Sequence, residues 1–540
     1  MAKLIIDKET ELSLGIDFGT TNCVVSVYID GEPIVIPIDG SNVFPTAVMF
    51  ESSTDELGKL SKVFGLEAKE AFAVYPETTV LNIKRLLGTG QKIKLDIEGK
   101  EYSLTPEEVA AEILLYLKEK ATEYIEEELN QPCKFTSCVI TVPANSTDKQ
   151  KKMTRDAAIL AGFDSEQTYL RLEPAAAAIS YAINEQESRN ILVYDFGGGT
   201  FDACVIGIEA GDPEPYVSIL STYGDNNLGG NDVDKIIMDI IYEEFKKQTD
   251  IDLFAEEANY KIPIARLEQA SQKAKERLSS TKSTKVTLAP FLQEPEIINI
   301  NIEITKDDFY NHRRVNQLTD TKENFLRYKD KNLHDIIDIT ISCIDNCIES
   351  SGVSDIDQIF LVGGSSSLEL VSEKITKKFG KEPFKSKISP ALSISMGASI
   401  YANLIKNPTN IGPIIKEKTI HPLGLEVFGR QFFEIISPGI DIPEDGLTIE
   451  SKELFYTNFD DVTSMAIVVY EDTSPTSDKS INRSGMKRLG GTTLHGIPKA
   501  KKGEEKVKVI FNVDRNNILK VRAVSESLGA ETILSVDQMY

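Results

Sequence analysis

Two short segments, far apart in the chain, combine an acidic residue with glycines and hydroxyl side chains. The first runs from Gly15 to Asn22 and reads GIDFGTTN, and the second runs from Asp195 to Asp202 and reads DFGGGTFD. Glycine allows the backbone to approach a ligand closely, and successive N–H groups in such a turn bind anions. An Asp beside a phosphate needs a cation between them, so each segment implies a magnesium site. One such turn alone would favour a plain hairpin, whereas two in the same order predict a duplicated fold that holds one phosphate chain from both sides.

A third glycine turn follows the apolar run Ile359 to Val362 and reads Gly363-Gly364-Ser365. A charged helical segment, Glu369 to Phe379, comes next. A strand, a glycine turn and a helix N-terminus together form an anion-binding site, although the same pattern alone is more typical of a simple turn. The chain has no Gly-Lys-Ser/Thr sequence as a competing phosphate loop, and its four scattered histidines give no catalytic triad.

The elements around these turns indicate two kinds of architecture. Strands alternate with helices over the first part of the chain, which is typical of α/β folds. Thr105-Pro106-Glu107-Glu108 is a capping box that predicts a helix through about Glu128. After Asn407-Pro408 helical periodicity gives way to strands, and 514–517 separates a predicted hairpin, Val507 to Val513 and Ile518 to Ala523. The C-terminal part is therefore predicted to be a separate all-β domain.

Composition narrows the function classes. The chain has 540 residues, and its net charge of −25 disfavours nucleic acid as a partner. No apolar stretch approaches the ~18 residues of a membrane span, so we expect no membrane partner and a cytoplasmic location. The basic segment from Lys479 to Lys508 is interpreted as a solvated loop face. Cys343 and Cys347 have helical spacing, but without a nearby His we interpret them as buried thiols rather than metal ligands.

The motifs, taken in order, resemble those of the heat-shock protein 70 (DnaK-like) chaperone family. Besides the three glycine turns, the matching stretches are Leu81 to Gly88, Ile140 to Ala144, Glu173 to Ala178, Leu228 to Asp232 and Lys275 to Ser280. The resemblance implies an α/β actin-like (ribonuclease H-like, duplicated) ATPase domain at 1–407 and a linker at 408–420. It further implies an all-β sandwich, peptide-binding domain at 421–540, here expected to lack the family's helical lid.

The resemblance implies an ATP-dependent chaperone that hydrolyses ATP with Mg²⁺ and binds exposed apolar segments of unfolded polypeptides. A J-domain co-chaperone and a nucleotide exchange factor are the further partners that it implies. Two other classes stay open: a small-molecule kinase of the same superfold, and a scaffold that binds ATP without hydrolysing it.

The resemblance also assigns roles to individual residues. The catalytic set is Lys84, Glu173, Asp195, Thr200 and Asp17, and the two Asp residues would hold magnesium through water. The nucleotide-binding set is Gly19, Thr20, Thr21, Asn22, Gly197, Gly198, Gly199, Asp202, Gly229, Gly230, Lys275, Ser279, Gly363, Gly364 and Ser365. In the β-domain, Leu425 and Phe428 fall where the family lines its peptide groove, although ordinary sandwich core is an equally good interpretation.

Several positions depart from the family's pattern. Ser367 stands where the family usually has an Arg that packs on adenine, and Ala391 and Gln272 replace acidic residues at the nucleoside end. These differences predict ATP hydrolysis with looser nucleotide affinity. Lys151 replaces an Arg of the interdomain switch, and the linker carries only the apolar pair Ile414-Ile415, which puts the coupling between domains in doubt.

Overall fold

The computed structural model describes residues 10–54, 60–130, 132–182, 187–211, 215–255, 260–384, 389–407, 414–416, 418–419, 421–443, 445–473, 476–483, 485–525, 527 and 531–534. None of the helices within these ranges is long and apolar enough to cross a membrane.

The first third of the chain is built on one mixed sheet. Its elements are β1 (Thr10–Phe18), β2 (Asn22–Ile29), β3 (Glu32–Ile36), β4 (Phe44–Pro45), β5 (Ala47–Thr54), β6 (Leu60–Phe64), α1 (Gly65–Ala71), β7 (Thr79–Leu81), β8 (Ile93–Ile97), β9 (Lys100–Leu104), α2 (Pro106–Leu129), β10 (Cys133–Val142), α3 (Asp148–Leu160), β11 (Thr168–Leu172) and α4 (Glu173–Ala182). The main sheet has the order β11-β10-β1-β2-β3, with β4 beside β2. Strands β1, β2 and β3 form an antiparallel meander, and β10 and β11 continue the sheet in parallel.

The second third repeats this pairing scheme. Its elements are β12 (Arg189–Phe196), β13 (Phe201–Glu209), β14 (Tyr216–Asp225), α5 (Gly230–Lys246), α6 (Lys261–Leu278), β15 (Ser283–Leu292), β16 (Ile298–Thr305), α7 (Lys306–Asn311), α8 (Lys322–Tyr328), α9 (Leu333–Ser351), β17 (Gln358–Val362), α10 (Glu369–Phe379) and α11 (Ser393–Lys406). Strands β12, β13 and β14 form the antiparallel meander, and β17 lies parallel to β12. Both sheets therefore present an antiparallel hairpin beside a parallel strand, as the duplicated glycine turns predicted.

Small residues bring α4 and α11 close together between the two sheets. A Cβ on Gly397 of α11 would lie 1.7 Å from the carbonyl oxygen of Ala176, and one on Gly15 of β1 would lie 2.2 Å from the Ser399 nitrogen. The alanine run of α4 is buried against α11 for the same reason. This close packing fixes the N-terminus of α4, where Glu173 lies.

The last part of the described chain is all-β, as predicted. Its strands are β18 (Ile414–Lys416), β19 (Leu423–Val427), β20 (Gln431–Ile436), β21 (Leu447–Glu450), β22 (Phe455–Tyr456), β23 (Ser464–Asp472), β24 (Met486–His495), β25 (Lys506–Val513), β26 (Leu519–Ser525) and β27 (Glu531–Leu534). One sheet has the order β20-β19-β23-β24 and another the order β21-β25-β26-β27. Their apolar side chains share one core. The predicted hairpin is β25–β26.

Two sequence-based interpretations need correction here. The basic segment from Lys479 to Lys508 is not only loop, because Met486–His495 forms β24, paired along its length with β23. The predicted linker is also partly strand: residues 414–416 form β18, which extends the second α/β sheet in parallel with β14. Residues 408–413 of that linker lie outside the described residues.

The β25–β26 turn contacts the first α/β unit. The Asn516 side-chain oxygen accepts a hydrogen bond from the Leu170 N–H at 2.9 Å, and the Arg171 guanidinium donates to the Arg515 carbonyl at 3.0 Å. The Lys151 ammonium donates to the Asn517 carbonyl at 2.9 Å. Lys151, whose replacement of Arg raised doubt about coupling, is therefore an interdomain contact in this structure.

Candidate active site

Two glycine hairpins face each other across a cleft between the two α/β units. A Cβ on Gly198 would lie 1.9 Å from the Thr21 hydroxyl oxygen, and one on Gly199 would lie 2.5 Å from the Thr20 hydroxyl oxygen. Only glycine allows the β12–β13 turn to approach the threonines of the β1–β2 turn this closely. The Thr21 hydroxyl is buried without a protein partner. The cleft thus carries backbone and hydroxyl donors from both halves of the fold.

Most of the predicted site residues line this cleft. Those that do are Asp17, Gly19, Thr20, Thr21, Asn22, Lys84, Glu173, Asp195, Gly197, Gly198, Gly199, Thr200, Lys275, Ser279, Gly363, Gly364 and Ser365. The three glycine turns therefore meet at one place, as the sequence predicted. Their roles toward a nucleotide stay a prediction.

Three predicted nucleotide-binding residues are not among those that line the cleft. Asp202 lies behind it, where its carboxylate accepts a hydrogen bond from the Asn145 side chain at 2.8 Å. The Gly229 N–H donates to the Asp232 carboxylate at 2.9 Å, at the N-terminus of α5. The Gly230 carbonyl accepts from the Lys275 ammonium at 2.9 Å. In the structure these residues support the cleft rather than face it.

Lys84 and Glu173 form a buried ion pair at one end of the cleft. The Lys84 ammonium lies 2.5 Å from a Glu173 carboxylate oxygen, and each side chain is 9% exposed. Lys84 belongs to a short 3₁₀ turn, Ile83–Arg85, that enters through Asn82 in the left-handed region at φ 55°. Glu173 is the first residue of α4. A buried pair of this kind holds both charged atoms in a fixed geometry.

The surrounding carboxylates have raised pKa values. Burial, then the charge of Glu173, raises the pKa of Asp17 to about 7 and that of Asp202 to about 7. Burial and the carboxylates of Glu173, Asp202 and Asp17 raise the pKa of Asp195 well above its usual range. Lys84 opposes the shift at all three Asp residues. The cleft therefore concentrates more negative charge than this lysine balances.

A divalent cation fits this donor set. One carboxylate oxygen of Asp195 is buried without a hydrogen-bond partner. Across the described residues, no group of three or more His, Cys, Asp or Glu side chains is placed to hold a metal ion. Asp17 and Asp195 would therefore hold Mg²⁺ only together with water or ligand phosphate oxygens, as the sequence analysis expected. Cys343 and Cys347 are buried free thiols, as predicted.

Sequence reasoning missed a bridge that braces the site. The Arg85 guanidinium donates to the Gly199 carbonyl at 2.8 Å and to the Asp232 carboxylate at 2.9 Å. It thereby joins the first α/β unit to the glycine turn and α5 of the second. Arg85 and Asp232 both stand in recognised motifs, but no local signal pairs residues so distant in sequence.

The two predicted peptide contacts have different surroundings. Leu425 on β19 is 3% exposed and packs in the core of the β-region, so its assignment to an open groove is corrected to a core residue. Phe428, just after β19, is 82% exposed. Alternating strand residues face opposite sides, and the sequence alone did not show which side packs inward.

One comparison with known proteins bears on these observations. A family model described as Hsp70 protein matches residues 13–540. The match spans both α/β sheets and the all-β region.

Proposed function

The chain belongs to the Hsp70 family, and from this membership we propose that it is a molecular chaperone that hydrolyses ATP with Mg²⁺. We propose that the cleft between the two α/β units is the ATPase site. The all-β region is proposed to bind extended apolar segments of unfolded polypeptides. A J-domain co-chaperone and a nucleotide exchange factor are the further partners that family membership suggests.

We assign the two α/β units to a duplicated, actin-like ATPase domain. The support is the repeated pairing scheme, in which a three-stranded antiparallel meander adjoins a parallel strand in each sheet. We keep the boundaries 1–407, 408–420 and 421–540 as a proposal, with residues 414–416 extending the ATPase sheet.

The observation that carries the proposed reaction is the Lys84–Glu173 pair at the end of the glycine-turn cleft. Phosphoryl transfer depends mainly on positioning and on neutralisation of charge. The Thr20, Thr21 and glycine-turn donors would hold phosphate oxygens, and the Lys84 ammonium would stabilise the charge on the γ-phosphate. Glu173 would orient the attacking water. As its oxygen bonds to the γ-phosphorus, the bond to the bridging oxygen breaks, and ADP and phosphate leave.

Bound Mg²⁺ would supply charge neutralisation between the phosphates and the carboxylates of Asp17 and Asp195. These two residues come from β1 and β12, the equivalent strands of the two sheets. With the cation bound, both carboxylates would stay ionised despite their burial. The chain's contribution is thus to place two anionic groups at fixed positions on either side of the phosphates.

The test is ATP hydrolysis by the full chain with and without EDTA, and by the Asp195→Asn variant. Losing one electrostatic stabiliser costs about 10²–10³ in turnover, so we expect at least that loss in Asp195→Asn. The matched control is Asp338→Asn, whose side chain is 63% exposed and pairs with Lys374. Hydrolysis that persists unchanged in EDTA would contradict the proposed site. Phosphate transfer to a sugar panel would favour a kinase instead.

A further inference from the structure

A second cavity adjoins the cleft at the end remote from the carboxylates. It has a volume of about 640 Å³, against about 190 Å³ for the cleft itself. The two share the lining residues Gly363, Gly364, Ser367, Pro390 and Ala391. These residues form a junction through which the cleft continues into the larger cavity.

The side chains at this junction are small. The Ser367 hydroxyl turns back on its own loop and donates to the Gly364 carbonyl at 2.7 Å. A Cβ placed on Gly364 would meet nothing within 4 Å. Ala391 adds only a methyl group. The junction therefore has no long side chain among these residues to close the end of the cleft.

The cavity behind the junction has an aromatic wall. The Tyr181 and Phe360 rings stack with centroids 4.1 Å apart, and the Phe384 ring meets Phe360 edge-on at 5.1 Å. Phe360 is buried, whereas Phe384 is 46% exposed. Aromatic faces and edges in a concave site favour flat apolar groups.

The direction of a bound nucleotide follows from the charges in the cleft. The phosphates belong beside Lys84 and the glycine turns, so the base must lie toward Ser367 and Ala391. In adenine, the amino nitrogen N6 lies on the ring edge remote from the ribose-bearing N9. A substituent on N6 would therefore extend away from the phosphates, toward the aromatic cavity.

We propose that this cavity is a binding site for an apolar aromatic group attached to the base of a purine nucleotide. The chain would accept N6-arylalkyl purine nucleotides as well as ATP or better, with the substituent against Phe384 and Tyr181. This inference rests on the proposed function, because it requires a nucleotide in the cleft.

The experiment is titration calorimetry of the full chain in Mg²⁺ with ATP and with N6-benzyl-ATP. We expect the benzyl nucleotide to bind at least as tightly as ATP. The Ser367→Arg variant places a long planar cation at the junction, so it should weaken N6-benzyl-ATP at least several-fold relative to ATP. Phe384→Ala should weaken only the benzyl nucleotide, whereas Phe459→Ala, a control at a Phe that is 70% exposed in the all-β region, should change neither.

The outcomes separate the two proposals. If ATP binds and N6-benzyl-ATP binds much more weakly, the cavity assignment is wrong and the proposed ATPase site stands. Equal effects of Ser367→Arg on both nucleotides would also overturn the cavity assignment. If neither nucleotide binds, the proposed function fails and this inference fails with it.

Discussion

Replacement of Lys84 by Met separates the catalytic role of this lysine from its structural one. In the structure the Lys84 ammonium pairs with Glu173 at 2.5 Å, and both side chains are 9% exposed. Removing one partner of a buried pair leaves an uncompensated charge, which costs about 3–5 kcal/mol of folding free energy. Loss of one electrostatic stabiliser of the transition state costs about 10²–10³ in turnover. Lys84→Met should therefore lower both stability and kcat.

The double variant Lys84→Met/Glu173→Gln distinguishes the two losses. Neutralising Glu173 as well removes the unpaired charge, so the free energy of unfolding should recover most of the deficit. Turnover should not recover, because neither the cation nor the carboxylate that orients water is restored. Denaturant unfolding and steady-state ATP hydrolysis, measured on the same preparations, give the two readouts.

The matched control is Lys62→Met, which breaks a partly buried pair with Glu112 at 2.8 Å. Neither residue is among those that line the cleft, so turnover should stay near the wild-type value while stability falls. Near-normal turnover in Lys84→Met, or turnover that returns together with stability in the double variant, would refute the catalytic assignment.

Three further predictions concern the carboxylates, the glycine turn and the interdomain contact. Without nucleotide and Mg²⁺, the unfolding free energy should fall as pH rises from about 4 to about 7, because Asp17 and Asp202 keep protons in the folded state that they lose in the unfolded one. Calorimetric melting at several pH values would show it, Asp17→Asn should flatten the slope, and a rise in stability over this range would contradict the assignment. Gly198→Ala should abolish ATP binding by calorimetry, since its Cβ would lie 1.9 Å from the Thr21 hydroxyl oxygen, and unchanged affinity would show that the turns need not pack this closely. Asn516→Ala should leave the Leu170 N–H unpaired and weaken the interdomain contact by about 1–3 kcal/mol. Hydrogen exchange of residues 168–172 should rise in that variant but not in Asn512→Ala, whose side chain bonds Thr448 within the β-region, and equal exchange in both would count against the contact.

Local chemistry made much of the fold predictable. The capping box at Thr105 placed the start of α2 at Pro106, and the predicted limits of α10 agree with the structure. The strand Gln431–Ile436 also follows the sequence pattern. These elements depend on residues within a few positions of one another, so the sequence carries their signals directly.

The remaining features depend on contacts between distant residues. The Arg85–Asp232 bridge joins the two α/β units, and β18 pairs with β14 across almost half of the second unit and the linker. Leu425 belongs to the core because of what packs against it, which a five-residue strand pattern does not specify. Strand β24 was hidden by its basic residues, of which Lys487 pairs with Glu471 on β23.

ATP hydrolysis by the full chain, with Mg²⁺ and with or without an extended apolar peptide, tests the central claim most directly. The account predicts Mg²⁺-dependent release of phosphate that rises when the apolar peptide is added and does not rise with a polar peptide of the same length. Absence of phosphate release above background, or a rate indifferent to the apolar peptide, would contradict it.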